Sequence, residues 1–425
     1  MKSSILKKLP ALTAMTAILF TAVVFAGCDD DDDSDKDSNV SVVEDGGTLS
    51  GVFTKDVEVE KDAKITLKGA VIFQSGSTLK INEGVTVKAS VETLSYLIIA
   101  RGAKIEAIGT AKKPITFTSS KPDGTRKASD WGGIIINGKA KINQGGGEAE
   151  GEGDSGVYGG TDDADNSGTL KYVRVFFAGY PFSSTNELNG VCLQGVGSGT
   201  SIEYLQIHSG SDDGIEMFGG TVNLKYVMST ANEDDQIDCT FGWRGTIEYA
   251  VAASIQGDAA MEYDNNESNF QAEPRTSVKH KYITVIAREA LDSTNAMKSN
   301  KGARMRRGTN AWFENSYFVQ VGSASDDILI SENSGSIVNV SNSYFQNAKT
   351  VGYKVSKDSK ITTDVNGTVT ASAYTVSPSA MDLTPFASTA ALAAKGADAF
   401  VTTTNGAITD ANNNWAKGWT EFPAN

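Results

Sequence analysis

Ile202-Glu203-Tyr204-Leu205, Leu224-Lys225-Tyr226-Val227 and Ile247-Glu248-Tyr249-Ala250 are three copies of one pattern, apolar-x-Tyr-apolar, with tyrosines 22 and then 23 residues apart. Leu170-Lys171-Tyr172-Val173 is an earlier copy, and looser ones centre on Tyr282, Tyr317 and Tyr344. A second pattern is locked to the first. Gly190-Val191-Cys192-Leu193, Gly214-Ile215-Glu216-Met217, Gln236-Ile237-Asp238-Cys239 and Ala260-Met261-Glu262-Tyr263 follow one another at spacings of 24, 22 and 24 residues. Each segment alternates apolar with polar, the period of a half-buried strand. A repeat of that length, built of short strands and Gly or Asn turns, suits one coil of a parallel β-helix, whose inward residues stack into ladders.

The chain before residue 140 reads the same way. Short alternating runs cover Ala63 to Leu67, Ala70 to Phe73, Thr78 to Ile81, Val85 to Val87, Leu97 to Ala100, Lys104 to Ile108 and Ile115 to Phe117, mostly separated by glycines. No amphipathic helix stands out between Gly47 and Gly352. A β-sandwich or propeller is the competing architecture, but a sandwich does not repeat its side-chain register at one coil length. The expected fold is therefore all-β, a right-handed, single-stranded parallel β-helix over residues 47–352. A less regular segment, 353–425, is expected to cap it.

The N-terminus reads as an export signal. Lys2, Lys7 and Lys8 precede an apolar stretch from Leu9 to Val24, too short for a comfortable membrane span but suited to a signal peptide over residues 1–27. Phe25-Ala26-Gly27-Cys28 resembles the lipobox of bacterial lipoproteins, with Phe25 where Leu is usual, which implies acylation of Cys28. Asp29 to Asp33, Asp35 and Asp37 follow. Such a run cannot pack, so residues 28–46 are expected to form a solvated tether. It also resembles the surface-export signal of Bacteroidetes lipoproteins. The expectation is a lipid-anchored protein of the outer membrane, exposed at the cell surface.

A formal charge of -14 argues against nucleic acid or an anionic membrane surface as a partner. A neutral or cationic partner, or one bridged by metal cations, fits better. Trp131-Gly132-Gly133-Ile134, Tyr158-Gly159-Gly160, Asn166-Ser167-Gly168-Thr169-Leu170-Lys171-Tyr172, Asp212-Asp213-Gly214 and Trp415-Ala416-Lys417-Gly418-Trp419 together resemble a family of outer-membrane-associated lipoproteins of Bacteroidetes and related bacteria. That resemblance implies a pectin-lyase-like β-helix at the cell surface and no particular activity.

Candidate chemistry lies in one column. Glu216, Asp238 and Glu262 align in successive coils and point away from the core; just upstream, Asp212 and Asp213 align with Asp234 and Asp235, and Asp258 follows. Neighbouring strands lie about 4.8 Å apart, so this is a dense acidic strip. Two unit charges at that spacing repel by about 0.9 kcal/mol in water and several-fold more near a protein surface. Bound cations, raised carboxyl pKa values, or basic neighbours such as Lys225 and Arg244 could offset it. Three readings stay open: solvated Asp-Asp-Gly turns, Ca²⁺ held by Glu216, Asp238 and Glu262, or glycoside hydrolysis or lysis by Asp212, Asp213, Asp234, Asp235 and Asp238. The last follows polygalacturonases and pectate lyases, which use acidic clusters on a β-helix face. Spacing excludes neither glycosidase geometry, since one coil is close to the ~5–5.5 Å of retaining enzymes and two coils to the ~6.5–9.5 Å of inverting ones. The Gly-His-Gly of polygalacturonases is missing, and His208 and His280 lack flanking glycines. His208 reads as a polar rung residue.

Asp162-Asp163-Ala164-Asp165-Asn166-Ser167-Gly168 begins like a Ca²⁺ loop, making Asp163 and Asp165 further candidate ligands, but Arg174 stands where an EF-hand needs a bidentate Glu. Arg304, Arg306 and Arg307 make a small basic cluster suited to an acidic ligand, but read first as a solvated turn. The same register places Cys192 outward as a partly exposed thiol and Cys239 inward, two coils away. At about 9.6 Å they are too far apart for a disulfide. The expected function is binding of a polysaccharide, envelope component or surface protein with Ca²⁺ support; a polysaccharide-degrading enzyme is the alternative.

Overall fold

The computed structural model describes residues 40–423, apart from 184–185, 292–296, 300, 324–327, 333–334, 349–352, 357–367, 373–374 and 378–380. The signal segment, Cys28 and most of the tether lie outside the described residues. Parallel strands wind into a three-sided coil. The first face is built from strands such as Ile134–Asn137, Val191–Gln194, Ile215–Phe218, Ile237–Thr240, Ala259–Tyr263 and Lys301–Met305. The strands Gly168–Phe176, Ser201–His208, Asn223–Thr230 and Thr246–Ser254 each turn a corner and so serve the second face and then the third.

The inferred register holds residue for residue. Val191 pairs with Ile215, Ile215 with Ile237 and Ile237 with Met261, while Cys192, Glu216, Asp238 and Glu262 form the adjacent column. Inward residues of all three faces form one continuous core, including Leu205, Val227, Ile237, Cys239 and Ala250. Each fully buried Val, Leu or Ile contributes about 1.5–3 kcal/mol, and the ladder multiplies that along the stack.

The repeated tyrosines make the corner between the second and third faces. Tyr172, Tyr204, Tyr226, Tyr249 and Tyr282 all have φ between 52 and 58°. Bulky residues rarely take this left-handed conformation, and here their rings stack at 4.2, 4.4, 5.1 and 4.9 Å between centroids. Tyr317 and Tyr344 are not further members of this series. Asn315 and Asn342 take the corner in the last coils, with φ of 53 and 44°. Asn tolerates that conformation with less strain, and Tyr317 and Tyr344 stack on the third face instead.

Two glycines quoted from the sequence sit where no side chain fits. A Cβ on Gly133 (φ 83°) would lie 2.0 Å from the Asn189 carbonyl oxygen, and one on Gly168 (φ 113°) 2.0 Å from that of Ile105. Trp131, beside Gly133, is fully buried and donates its indole N–H to the Phe176 carbonyl at 2.9 Å.

Both ends differ from expectation. Val40–Val43 already pairs in parallel with Asp56–Val59, because Val-Ser-Val-Val alternates well enough to add a strand to residues assigned to the tether. At the other end Tyr353–Ser356, Thr368–Ser372 and Thr375–Ser377 continue the coil. Residues 381–423 do not cap it. They run back along the outer surface of the third face, burying Met228, Val251, Ile286 and Val319 beneath Phe386, Leu392, Phe400 and Phe422. Trp415 and Trp419 close over the tyrosine stack.

Cys192 and Cys239 are both free and both buried. Cys239 is inside the coil as expected. Cys192 points outward but is covered rather than partly exposed, because Ile142, Tyr158 and Leu188 from two insertions pack over it and Ile135.

Candidate functional site

Those insertions shape the first face into a cleft. Residues 138–167 leave the coil between the first and second faces and carry an antiparallel hairpin, Glu148–Glu150 with Val157–Gly159. Residues 177–190 leave between the third and first faces and carry a second, Tyr180–Ser183 with Asn186–Leu188. A buried polar network holds the first insertion down: Gln194 Nε2 donates to Asn137 Oδ1 at 2.9 Å and to Ser155 Oγ at 3.1 Å, and the Glu152 N–H donates to Gln194 Oε1 at 2.9 Å. Glu152 is thereby brought to the cleft, where its carboxylate accepts the Glu187 N–H at 3.0 Å. Neither Glu152 nor Glu187 belongs to the repeat, so the sequence register could not reveal them.

The aspartates of the turns divide into two kinds. Asp213 and Asp235 are buried, and each holds the next coil: the Asp235 N–H donates to Asp213 Oδ1 at 2.9 Å and the Ala259 N–H to Asp235 Oδ1 at 2.7 Å. Asn189 begins this ladder by accepting the Asp213 N–H at 3.2 Å. Asp213 and Asp235 are buried ties between coils rather than the solvated turn residues of the first reading. Asp212 and Asp234 lie nearer solvent. The carboxylate oxygens of Asp212, Asp213 and Asp234 lie within 4.8 Å of one another, as do those of Asp213, Glu216 and Asp238. Asn189 Nδ2 also donates to Glu216 Oε2 at 2.7 Å.

Burial first, and neighbouring carboxylates second, make these groups hard to ionise. Asp212 is pushed up to about 8 by desolvation, with Glu187, Asp234 and Glu152 adding to it. Glu152 is raised to about 7, chiefly by burial. Asp213, Glu216, Asp235 and Asp238 are all held well above the usual carboxylate range for the same reasons.

Further along the column the charge is balanced, but not by the residues expected. Arg304 stands in the coil after Glu262 and contacts it through Nη1 at 2.7 Å, with its Nε on Glu332 at 2.5 Å. Arg306 grips Asp264 through two contacts of 2.7 and 2.9 Å and also meets Glu262, and Arg307 pairs with Asp264. These arginines are therefore a buried ion network, not a solvated turn. Lys225 meets Glu248 on the second face, and Arg244 meets Asp163; neither reaches the acidic column.

Residues 51–420 match the pectate-lyase-like β-helix domain. The chain belongs to that family. No curated protein matches the sequence. Among solved structures, the A-module of Azotobacter vinelandii mannuronan C-5 epimerase AlgE6 is similar, with 10% identity and a TM-score of 0.36 over 77% of this chain and 91% of that one.

In this pectate-lyase-like domain the remaining sequence candidates are spread out. Asp163 is occupied by Arg244 at 3.0 Å and by the Lys141 N–H at 3.1 Å, and against burial that backbone hydrogen bond, followed by the Arg244 charge, holds its carboxyl low. Asp165 is buried and accepts the Ser167 hydroxyl at 3.1 Å. Neither joins Glu216, Asp238 or Glu262. His280 lies inside the coil, stacked on Phe313 at 4.1 Å, with Nε2 2.9 Å from the Tyr263 hydroxyl and Nδ1 3.0 Å from the Trp312 carbonyl; burial lowers it to about 3. His208 is a rung residue, as read. Its Nδ1 meets Thr230 Oγ1 at 2.7 Å beneath Phe422, and burial lowers it to about 4. No histidine is placed for acid–base work at the cleft.

Proposed function

We propose that this protein is a cell-surface lipoprotein whose first-face cleft binds Ca²⁺ and, through it, a glycan of the envelope or surroundings. The carrying observation is the pair of carboxylate triples sharing Asp213, on a rigid ladder and walled by two insertions. Hard cations of this kind take several oxygens at close range. Among the described residues the ion pairs fall on Glu262, Asp264 and Asp258, and none on Asp212, Asp213, Glu216 or Asp238. A cation would relieve their mutual repulsion and leave positions for a ligand's own oxygens. The family's likeness to pectate lyases supports a saccharide as that ligand. A surface protein is the other partner considered.

Calorimetric titration with Ca²⁺ tests this directly. Glu216→Gln with Asp238→Asn should weaken binding by at least about tenfold, or roughly 1.4 kcal/mol. Equal affinity in wild type, in the double variant and in Asp212→Asn with Asp234→Asn would remove the site from this cleft.

A second reading has its own support. Asp212 and Glu152, raised to about 8 and about 7, would each hold a proton near neutrality, as a general acid must. A glycoside hydrolase or lyase built on Asp212, Asp234 and Asp238 would release oligosaccharides from acidic polysaccharides, and Asp212→Asn would abolish that release. Asp213 and Asp235 are poorer candidates, each having one oxygen committed to the next coil.

The membrane attachment rests on the Cys28 lipobox. Cys28→Ala should abolish fatty-acid incorporation and release the protein from the membrane fraction. Unchanged fractionation with retained acylation would sink it.

A further inference from the structure

We infer that the second face carries a separate sugar-binding surface centred on Trp312, suited to a strand of acidic polysaccharide. The register singles this residue out. From Thr169 onward its column reads Thr169, Ser201, Asn223, Thr246, Lys279, Trp312 and Asn339, polar at six of these seven positions. The adjacent column alternates charge, as Lys171, Glu203, Lys225, Glu248, Lys281 and Glu314, which keeps a flat sheet soluble and unpaired. An indole on such a face satisfies no rule of the repeat. Trp312 is 39% exposed, whereas Trp131, Trp243 and Trp419 are at most 1% exposed.

The surroundings define what it would hold. Asn310, two residues before Trp312 on the same strand, lines a corner pocket of ≈450 Å³ together with Arg244, Gln271, Glu273, Arg275 and Ser277. Lys279, the cross-strand neighbour of Trp312, lines a groove of ≈370 Å³ with Lys225, Thr246, Glu248 and Lys281. Among the described residues no carboxylate pairs with Lys279 or with the Arg275 guanidinium, so the surface has cationic capacity to spare. Ile337, 40% exposed and diagonal to Trp312 across the strands, is the other large exposed apolar residue of these coils' second face. Two isolated apolar side chains amid a charge ladder are too little for a protein interface, which needs a contiguous desolvated centre. A pyranose ring, apolar on its face and hydroxylated at its rim, matches an indole beside amides and guanidinium groups. Negatively charged substituents would complement Lys279 and Arg275.

This inference shares with the proposed function only the ligand class and needs no Ca²⁺, so chelation separates the two. Oligogalacturonate is titrated calorimetrically in chelator against wild type, Trp312→Ala, Lys279→Gln and the Glu216→Gln/Asp238→Asn variant, with tryptophan emission and acrylamide quenching as added readouts where Trp312 is retained. Expected are a shifted emission and protection from quenching in wild type and in the first-face variant. Trp312→Ala should bind about tenfold more weakly, and Lys279→Gln should bind with a smaller salt dependence. Equal binding by Trp312→Ala, or binding only when Ca²⁺ is supplied, would overturn it. Equal binding of a neutral cello-oligosaccharide would overturn the acidic assignment.

Discussion

Freed of divalent cations, the protein should lose thermal stability as the pH rises from about 5 to about 9, and millimolar Ca²⁺ should restore what is lost. The sign follows from the raised carboxyls. Asp212, Glu152 and their neighbours keep protons in the folded state at pH values where the unfolded chain has released them. Between the ordinary carboxylate value near 4 and the folded values near 7 to 8, the native state therefore holds more protons, and stability falls with rising pH. Their contribution is fully present below the ordinary value and gone above the folded one. Asp212 alone, moved from 3.8 to about 8, sets a ceiling of roughly 6 kcal/mol. Because these groups repel one another, easing one eases the rest, and a total of a few kcal/mol is expected rather than a sum.

Ca²⁺ binding must expel the same protons, so its stabilisation should be larger at pH 9 than at pH 5. Asp238→Asn supplies the control. Removing one charge from the crowd should raise stability in chelator at high pH while blunting the response to Ca²⁺. Melting curves in chelator that do not change with pH, or a Ca²⁺ effect undiminished in Asp238→Asn, would contradict the placement of the cation.

What could be read from the sequence was whatever the coil repeats at one spacing. Val191, Ile215, Ile237 and Met261 declare their register because inward positions must be apolar in every coil, and the outward acidic column follows from the same alternation. Features that depend on insertions were hidden. Arg304 and Glu262 are neighbours across one coil but 42 residues apart in sequence, because a long loop breaks the spacing. Cys192 is outward as read, yet its burial is decided by Tyr158 and Leu188, which no periodicity ties to it. Asp163 looked like a calcium ligand by its local motif, and only the fold brings Arg244 to it from 81 residues away. The tyrosine pattern misled at Tyr317 and Tyr344 because the corner demands a conformation, which Asn315 and Asn342 meet equally well, rather than a ring.

The ion network at the far end of the cleft gives the largest expected effect of a single substitution. Asp264→Ala should destabilise the protein by about 3–5 kcal/mol, read from the urea midpoint. Its carboxylate is 8% exposed and is shared by Arg306 and Arg307, which are 14% and 10% exposed. Alanine would leave two largely buried guanidinium groups side by side with only Glu262 and the exposed Glu267 to answer them. Asp264 also begins the loop 264–276, whose Asn265 and Asn266 contact Asn143 at 2.8 and 3.2 Å, so its loss loosens the wall of the cleft as well as the ion network. Asp264→Asn keeps an acceptor without the charge and should cost less than alanine. The loss should persist in high salt, because mobile ions screen exposed charges far better than buried ones. A change under about 1 kcal/mol would mean that the network behaves as an ordinary surface pair, and that the arginines are free to meet a ligand.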